Sequence, residues 1–239
     1  HEQSLVAFPF YRSYRSPQRD SISYGTPIGL TITDDRARKY HEVDAPWPFI
    51  VFARGEGKTA NRVWPFFGQA HSDSIESNFY LWPLYKYNGI HASTLDRDRT
   101  RIALFLYQHV RDKNLETGKY RSRTDLWPLF VHRHNLDGTS RLQVLAPLET
   151  FLPMSKSIER NYSPLWTVWR DEKNPAKGER SQSLLWNLYR REISPTTRKG
   201  SLLFGLFQYE STAETKRWRL FYLPLKKSQD RSDHVPEHR

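Results

Sequence analysis

Short apolar and aromatic runs recur along this chain, and the stretches between them are polar and charged. The clearest runs are Val63-Trp64-Pro65-Phe66-Phe67, Leu81-Trp82-Pro83-Leu84-Tyr85, Leu126-Trp127-Pro128-Leu129-Phe130 and Leu185-Trp186-Asn187-Leu188-Tyr189. Looser copies are Ala7-Phe8-Pro9-Phe10-Tyr11, Ala103-Leu104-Phe105-Leu106-Tyr107, Leu165-Trp166-Thr167-Val168-Trp169 and Leu203-Phe204-Gly205-Leu206-Phe207, with degenerate members at Leu145 to Glu149 and Phe221 to Leu225. From Pro65 to Gly205 the middle residues follow one another at steps of 18, 22, 23, 19, 20, 20 and 18. Spacing this uneven predicts a fixed strand joined by loops of variable length. The polar intervals carry turn chemistry at Asn88-Gly89, Asp137-Gly138, Asn174-Pro175 and Ser194-Pro195, which predicts hairpins between the strands.

The expected fold class is all-β. With weaker strands at Ile28 to Ile32 and Phe49 to Phe52, the pattern gives an antiparallel up-and-down meander of about twelve strands. A parallel solenoid would need apolar residues on every side of each coil, and Arg170 to Gln182 offers almost none. Twelve meandering strands leave two free edges unless the sheet curls, so closure as a barrel is the expectation. Residues 1–227 are expected to form a single β-repeat domain and residues 228–239 a polar tail. Because the repeats are already running at Leu5, the array is expected to be the C-terminal part of a longer one.

A strand has a period of two, so each run should present two faces. One would hold Trp64 and Phe66, Trp82 and Leu84, Trp127 and Leu129, Trp186 and Leu188. The other mixes small, polar and aromatic residues, and from it come the candidates for a lumen or ligand-facing surface: Tyr85, Glu149, Trp169, Asn187 and Tyr189. Glu149 stands where other copies hold an aromatic, either as a lumen-facing acid or as an exposed Glu in a degenerate repeat. Cations follow the runs at Arg12, Lys86, Arg170 and Arg190, the candidates for an anionic partner.

Composition sharpens that chemistry. Lys and Arg total 37 against 26 Asp and Glu, a formal net charge of +11 that points toward anionic partners such as phosphorylated glycolipid, acidic polysaccharide or nucleic acid. Nucleic acid fits least, since the basic residues are spread over every loop and match no known binding fold. With no cysteine there is neither disulfide nor thiolate metal site. No apolar run approaches the ~18 residues of a spanning helix, so a membrane location would require a closed barrel.

The run from Asp44 to Phe49, the strand Tyr80 to Tyr87, Asn161 to Trp166 and Ser183 to Tyr189 resemble uncharacterised Geobacter-type cell-envelope proteins built of tandem WPL(Y/F) repeats. The resemblance covers most of the chain from about Asp44 onward. It implies a secreted or outer-envelope location and further repeats upstream, and it names no activity.

Catalytic chemistry is nearly absent from the sequence. There is no G-x-S-x-G, no phosphate-cradling glycine loop and no calcium loop. His132 and His134 have the H-x-H spacing of some metal sites, with His109 the conceivable third ligand, but two histidines are not a site. No cofactor is implied. Two readings remain. One is a non-enzymatic, porin-like outer-membrane barrel acting as a pore, conduit sleeve or structural element, with membrane lipid or anionic glycolipid against its cationic rims. The other is a soluble envelope β-scaffold that binds glycan, an amphiphile or a partner protein.

Overall fold

The computed structural model describes residues 3–7, 9–25, 28–37, 39–46, 48–151, 163–221 and 223–224. His1, Trp47, Asn161, Tyr162 and the expected tail lie outside the described residues. The chain divides into two compact units, His1–Trp127 and Pro128–Arg239. The first contains β1 (Gln3–Ala7), β2 (Tyr11–Arg15), β3 (Arg19–Tyr24), β4 (Leu30–Asp35), β5 (Tyr40–Asp44), β6 (Ile50–Gly55) and β7 (Lys58–Val63). It continues with β8 (Phe67–Ser72), β9 (Ile75–Tyr80), β10 (Tyr85–His91), β11 (Leu95–Ile102), β12 (Tyr107–Asn114) and β13 (Tyr120–Leu126). The second contains β14 (Phe130–His134), β15 (Ser140–Val144), a helical turn α1 (Ser163–Trp166), β16 (Trp169–Asn174) and β17 (Glu179–Leu184). After these come β18 (Tyr189–Ile193), β19 (Thr197–Leu202), β20 (Phe207–Thr212), β21 (Lys216–Leu220) and β22 (Leu223–Pro224).

Within each unit, every strand pairs antiparallel with its neighbours in sequence, as Lys86 opposite Arg101 and Arg170 opposite Ser183 illustrate. The all-β, up-and-down meander is therefore present. Two finer expectations are corrected: the described residues form 22 strands rather than about twelve, and the sheet is not closed, because among those residues β1 pairs only with β2 and β22 only with β21. The larger strand count has one cause, which is where the repeated motif sits.

The apolar runs are turns, not strands. Trp64 to Phe66 joins β7 to β8, Leu81 to Leu84 joins β9 to β10, Ala103 to Leu106 joins β11 to β12, and Leu185 to Leu188 joins β17 to β18. The charged intervals form the strands, so Arg170 to Gln182, expected to be a linker, supplies most of β16 and β17. One repeat is thus a motif turn, a strand, a polar turn and a second strand, and this doubles the strand count. Motif turns follow odd-numbered strands and polar turns follow even-numbered ones, so in each unit the motif turns share one margin of the meander. Asp137-Gly138, Asn174-Pro175 and Ser194-Pro195 do mark polar turns, but Asn88-Gly89 lies inside β10, flanked by Glu76 and Asp98.

The third slot of the motif explains why these runs bend. Backbone hydrogen bonds from Phe66 N to Val63 O, Leu84 N to Leu81 O, Leu188 N to Leu185 O and Leu206 N to Leu203 O close four-residue turns. Pro65 and Pro83 occupy the third position with a cis bond before them, the arrangement of a type VI turn. Asn187 and Gly205 occupy the same position at φ 73° and 92°, preceded by Trp186 at 51° and Phe204 at 57°, the left-handed pair that matches hairpin twist. A proline here interrupts no ladder, because Pro65, Pro83, Pro128 and Pro147 all lie outside the strands.

Successive turns are tied together along the margin. In the first unit Trp64 N donates to Phe49 O at 2.8 Å, Leu81 N to Phe66 O at 2.6 Å, Ala103 N to Leu84 O at 2.7 Å and Trp127 N to Leu106 O at 2.9 Å. In the second, Leu145 N donates to Leu129 O at 2.7 Å, Leu185 N to Val168 O at 2.8 Å and Leu203 N to Leu188 O at 2.7 Å. Backbone groups in the turns are therefore paired, while the side chains above them, including Trp82, Leu84, Leu129, Trp186 and Phe204, remain exposed.

Candidate functional site

The first unit builds a groove from its motif turns. Phe49, Trp64 and Trp82 come from three successive turns, with ring centroids 5.5 Å apart for Phe49 and Trp64 and 5.9 Å for Trp64 and Trp82. Together with Pro48, Arg62, Ser77, Phe79 and Lys86 they line a cavity of about 420 Å³. The Phe79 ring lies over Gly68, where an added Cβ would come within 2.1 Å of it. The groove therefore combines aromatic planes with cations, a surface suited to an anionic amphiphile or a sugar.

One row behind the margin, register sets Asp44 beside Val51, Val51 beside Arg62, Arg62 beside Gly68, Gly68 beside Phe79, Phe79 beside Lys86 and Lys86 beside Arg101. The row continues through Gln108 to Asp125. Asp125 is held by the Arg123 guanidinium at 2.6 Å. At the other end Asp44 is buried, and its Oδ1 finds no hydrogen-bond partner among the described residues. Burial first, and then Glu42, push the Asp44 carboxyl up to about 6, against the pull of Arg62.

The second unit holds a buried polar cluster centred on Glu149, which is 1% exposed. Arg133 Nη2 donates to Glu149 Oε1 at 2.9 Å, while Ser163 Oγ at 2.8 Å and Trp166 Nε1 at 3.0 Å donate to Oε2. Beside it Thr167 Oγ1 donates to the Ser163 carbonyl at 2.8 Å and accepts from Gln143 Nε2 at 3.2 Å. The copies at Leu145 and Leu165 both fall in the single connection from β15 to β16, and this cluster fastens one to the other. With both oxygens engaged, Glu149 acts as a clamp. That corrects both alternatives for Glu149, a lumen-facing acid and an exposed residue in a degenerate repeat. Its signal in the sequence was an acid in an aromatic slot; its donors lie far along the chain.

The remaining expected residues divide by position. Tyr85, Trp169 and Tyr189 each stand first in a strand after a motif turn, and Asn187 stands inside a turn. Arg12, Lys86, Arg170 and Arg190 each stand second, on the opposite sheet face. Arg170 and Arg190 are committed to Glu172 at 2.6 Å and Glu192 at 2.5 Å. Lys86 has no carboxylate partner among the described residues.

His132 and His134 share a face of β14, and the His132 ring is pushed below its usual range by burial first and then by His134 and Lys173. His109 belongs to the first unit, where its Nδ1 lies 2.9 Å from Thr124 Oγ1. A cluster that the sequence did not reveal gathers His91, Asp96 and Asp98, whose ligand-type atoms lie within 4.8 Å of one another. They are tied by His91 Nδ1 to Asp96 at 2.6 Å, and Tyr87 donates to Asp98 at 2.7 Å. The chain matches no family model, no curated protein and no solved structure.

Proposed function

We propose that this chain is a non-enzymatic β-scaffold of the cell envelope that lays its apolar turn margin on a lipid or amphiphile surface. The observation that carries this reading is segregation: large exposed apolar side chains gather in the motif turns, with Lys86, Arg62 and Arg101 in the next row but one. An aromatic and aliphatic fringe backed by cations is the arrangement of an interfacial anchor, with the apolar tips among acyl chains and the basic groups at anionic headgroups. Tyr85, Trp169 and Tyr189 would then lie at the interface.

A lipid-spanning, porin-like barrel is favoured less. Spanning strands need about 9–11 residues, and these have 8 at most. Charged residues also occupy both faces of β11, with Arg97, Arg99 and Arg101 on one and Asp96 and Asp98 on the other. Facing lipid, each arginine would cost up to about 2–4 kcal/mol and each aspartate less.

The deciding experiment prepares the full chain without detergent and measures flotation with vesicles, alongside a Trp64→Ser, Trp82→Ser double variant. The expected result is a water-soluble, β-structured protein recruited to vesicles, with recruitment lost in the variant. A chain that folds only in detergent would return the spanning barrel. A soluble chain that ignores vesicles would overturn margin docking.

A further inference from the structure

Lys86 and Arg101 face each other directly across the ladder between β10 and β11, and Asn88 faces Arg99 in the next pair on the same face. Like charges directly opposite on a sheet are destabilising. No carboxylate relieves this pair: the acids nearest in the weave are taken, Asp112 by Arg97 at 2.7 Å and Arg121 at 2.7 Å, and Asp125 by Arg123. The Nε atoms of Arg99 and Arg101 are buried and have no acceptor among the described residues. Burial first, and then Arg101 and Arg97, hold the Arg99 guanidinium below its usual range. Two buried guanidinium Nε donors with no acceptor among the described residues thus stand beside a lysine, a concentration of positive charge and hydrogen-bond donors suited to an anion.

Lys86 also lines the groove of Phe49, Trp64 and Trp82, so the cation cluster and the aromatic groove are contiguous. We infer that Lys86, Arg99 and Arg101 bind the phosphate headgroup of an amphiphile whose apolar portion lies along the Trp64 and Trp82 groove. This rests on the docking reading above and names its ligand class. A tetrahedral phosphate offers several oxygens and up to two charges to donors on adjacent strands, whereas a lone carboxylate would leave much of the cation charge uncompensated. Binding replaces repulsion between Lys86 and Arg101 with charge-assisted hydrogen bonds to a shared anion.

The test uses the full chain and two probes. Inorganic phosphate should raise the melting temperature above that in chloride of matched ionic strength, and Arg99→Gln and Arg101→Gln should each lose that increment. Vesicles of phosphatidic acid mixed with phosphatidylcholine should bind more tightly than phosphatidylcholine alone, by about tenfold for each cation engaged. Lys86→Gln, at a half-buried position where the substitution also removes the like charge facing Arg101, should remove one such factor. Trp64→Ser with Trp82→Ser should abolish vesicle binding while keeping the phosphate increment, which separates failure of this site from failure of margin docking. If phosphate acts no differently from chloride, or the arginine variants keep the increment, the site is refuted. If phosphate stabilises the chain but phosphatidic acid adds nothing to vesicle binding, the ligand is free phosphate and the headgroup assignment falls.

Discussion

The two units carry similar cations in similar strands but treat them differently. In the second unit Arg133 meets Glu149, Arg141 and Arg170 meet Glu172, and Arg180 meets Asp171 at 2.6 Å. In the first unit Arg97, Arg121 and Arg123 are matched in the same way, while Lys86, Arg99 and Arg101 are left against each other and against Asn88. Cation density along the chain does not separate these cases. What separates them is which residue the ladder places opposite, or two positions along: Glu172 stands directly across from Arg141 and on the same face as Arg170, whereas Lys86 is what stands across from Arg101. A committed cation supports the fold, and an uncommitted one in the same sheet is open to a ligand.

The comparison breaks most visibly at Glu149. Glu149→Gln keeps the size of the side chain and removes the charge that Arg133 requires. Removing one member of a buried ion pair costs about 3–5 kcal/mol. Urea unfolding followed by tryptophan fluorescence should show the second unit losing that much stability. A loss under about 1 kcal/mol would mean that Arg133 is as uncommitted as Arg101, and the contrast between the units would collapse.

Acids show the same contrast with opposite sign. Arg180, against the effect of burial, holds Asp171 below the usual carboxylate range; at Glu172 burial pushes upward but Arg141 and Arg170 outweigh it. Their stabilisation is present at neutral pH and is lost as pH falls through the depressed values. Asp44, 7% exposed, is raised to about 6, so the folded state holds its proton after the unfolded chain has released it. Its contribution is most favourable below the unfolded carboxylate range and declines as pH rises toward about 6. Asp44→Asn should therefore stabilise the first unit by about 3 kcal/mol at pH 7.5 and by almost nothing at pH 3.5. A gain independent of pH would show that packing rather than charge is responsible.

The all-β, up-and-down meander was legible in the sequence because turn chemistry punctuates the chain at short intervals, but the two faces assigned to the apolar runs were not strand faces, since those runs are turns. The role of the motif was misread for a physical reason: a short apolar run ordinarily marks a buried strand, and here the margin leaves it exposed. One signal pointed to turns. Pro65, Pro83, Asn187 and Gly205 share a slot, and the property these residue types have in common is fitness for a turn backbone. Strands of the composition of Arg97 to Arg101 gave no such warning, since only register reveals that Arg97 meets Asp112 while Arg101 meets Lys86. Glu149 likewise depends on Arg133, Ser163 and Trp166, which are remote in sequence.

The smallest effect is expected at Arg190, and it tests whether commitment rather than position decides what a cation does. Arg190 occupies the same place after its motif turn that Lys86 occupies after Leu84, one residue beyond the tyrosine. Its guanidinium is paired with Glu192 at 2.5 Å, with both side chains substantially exposed to solvent. Exposed pairs of this kind contribute about 0–1 kcal/mol, so Arg190→Ala should barely move the second unit's unfolding midpoint. Since the charge of Arg190 is already answered within the sheet, the variant should also keep the full melting-temperature increment in phosphate. Loss of that increment on removing Arg190 would mean that motif-flanking cations act as one distributed surface, and the distinction between committed and uncommitted positions would have to be abandoned.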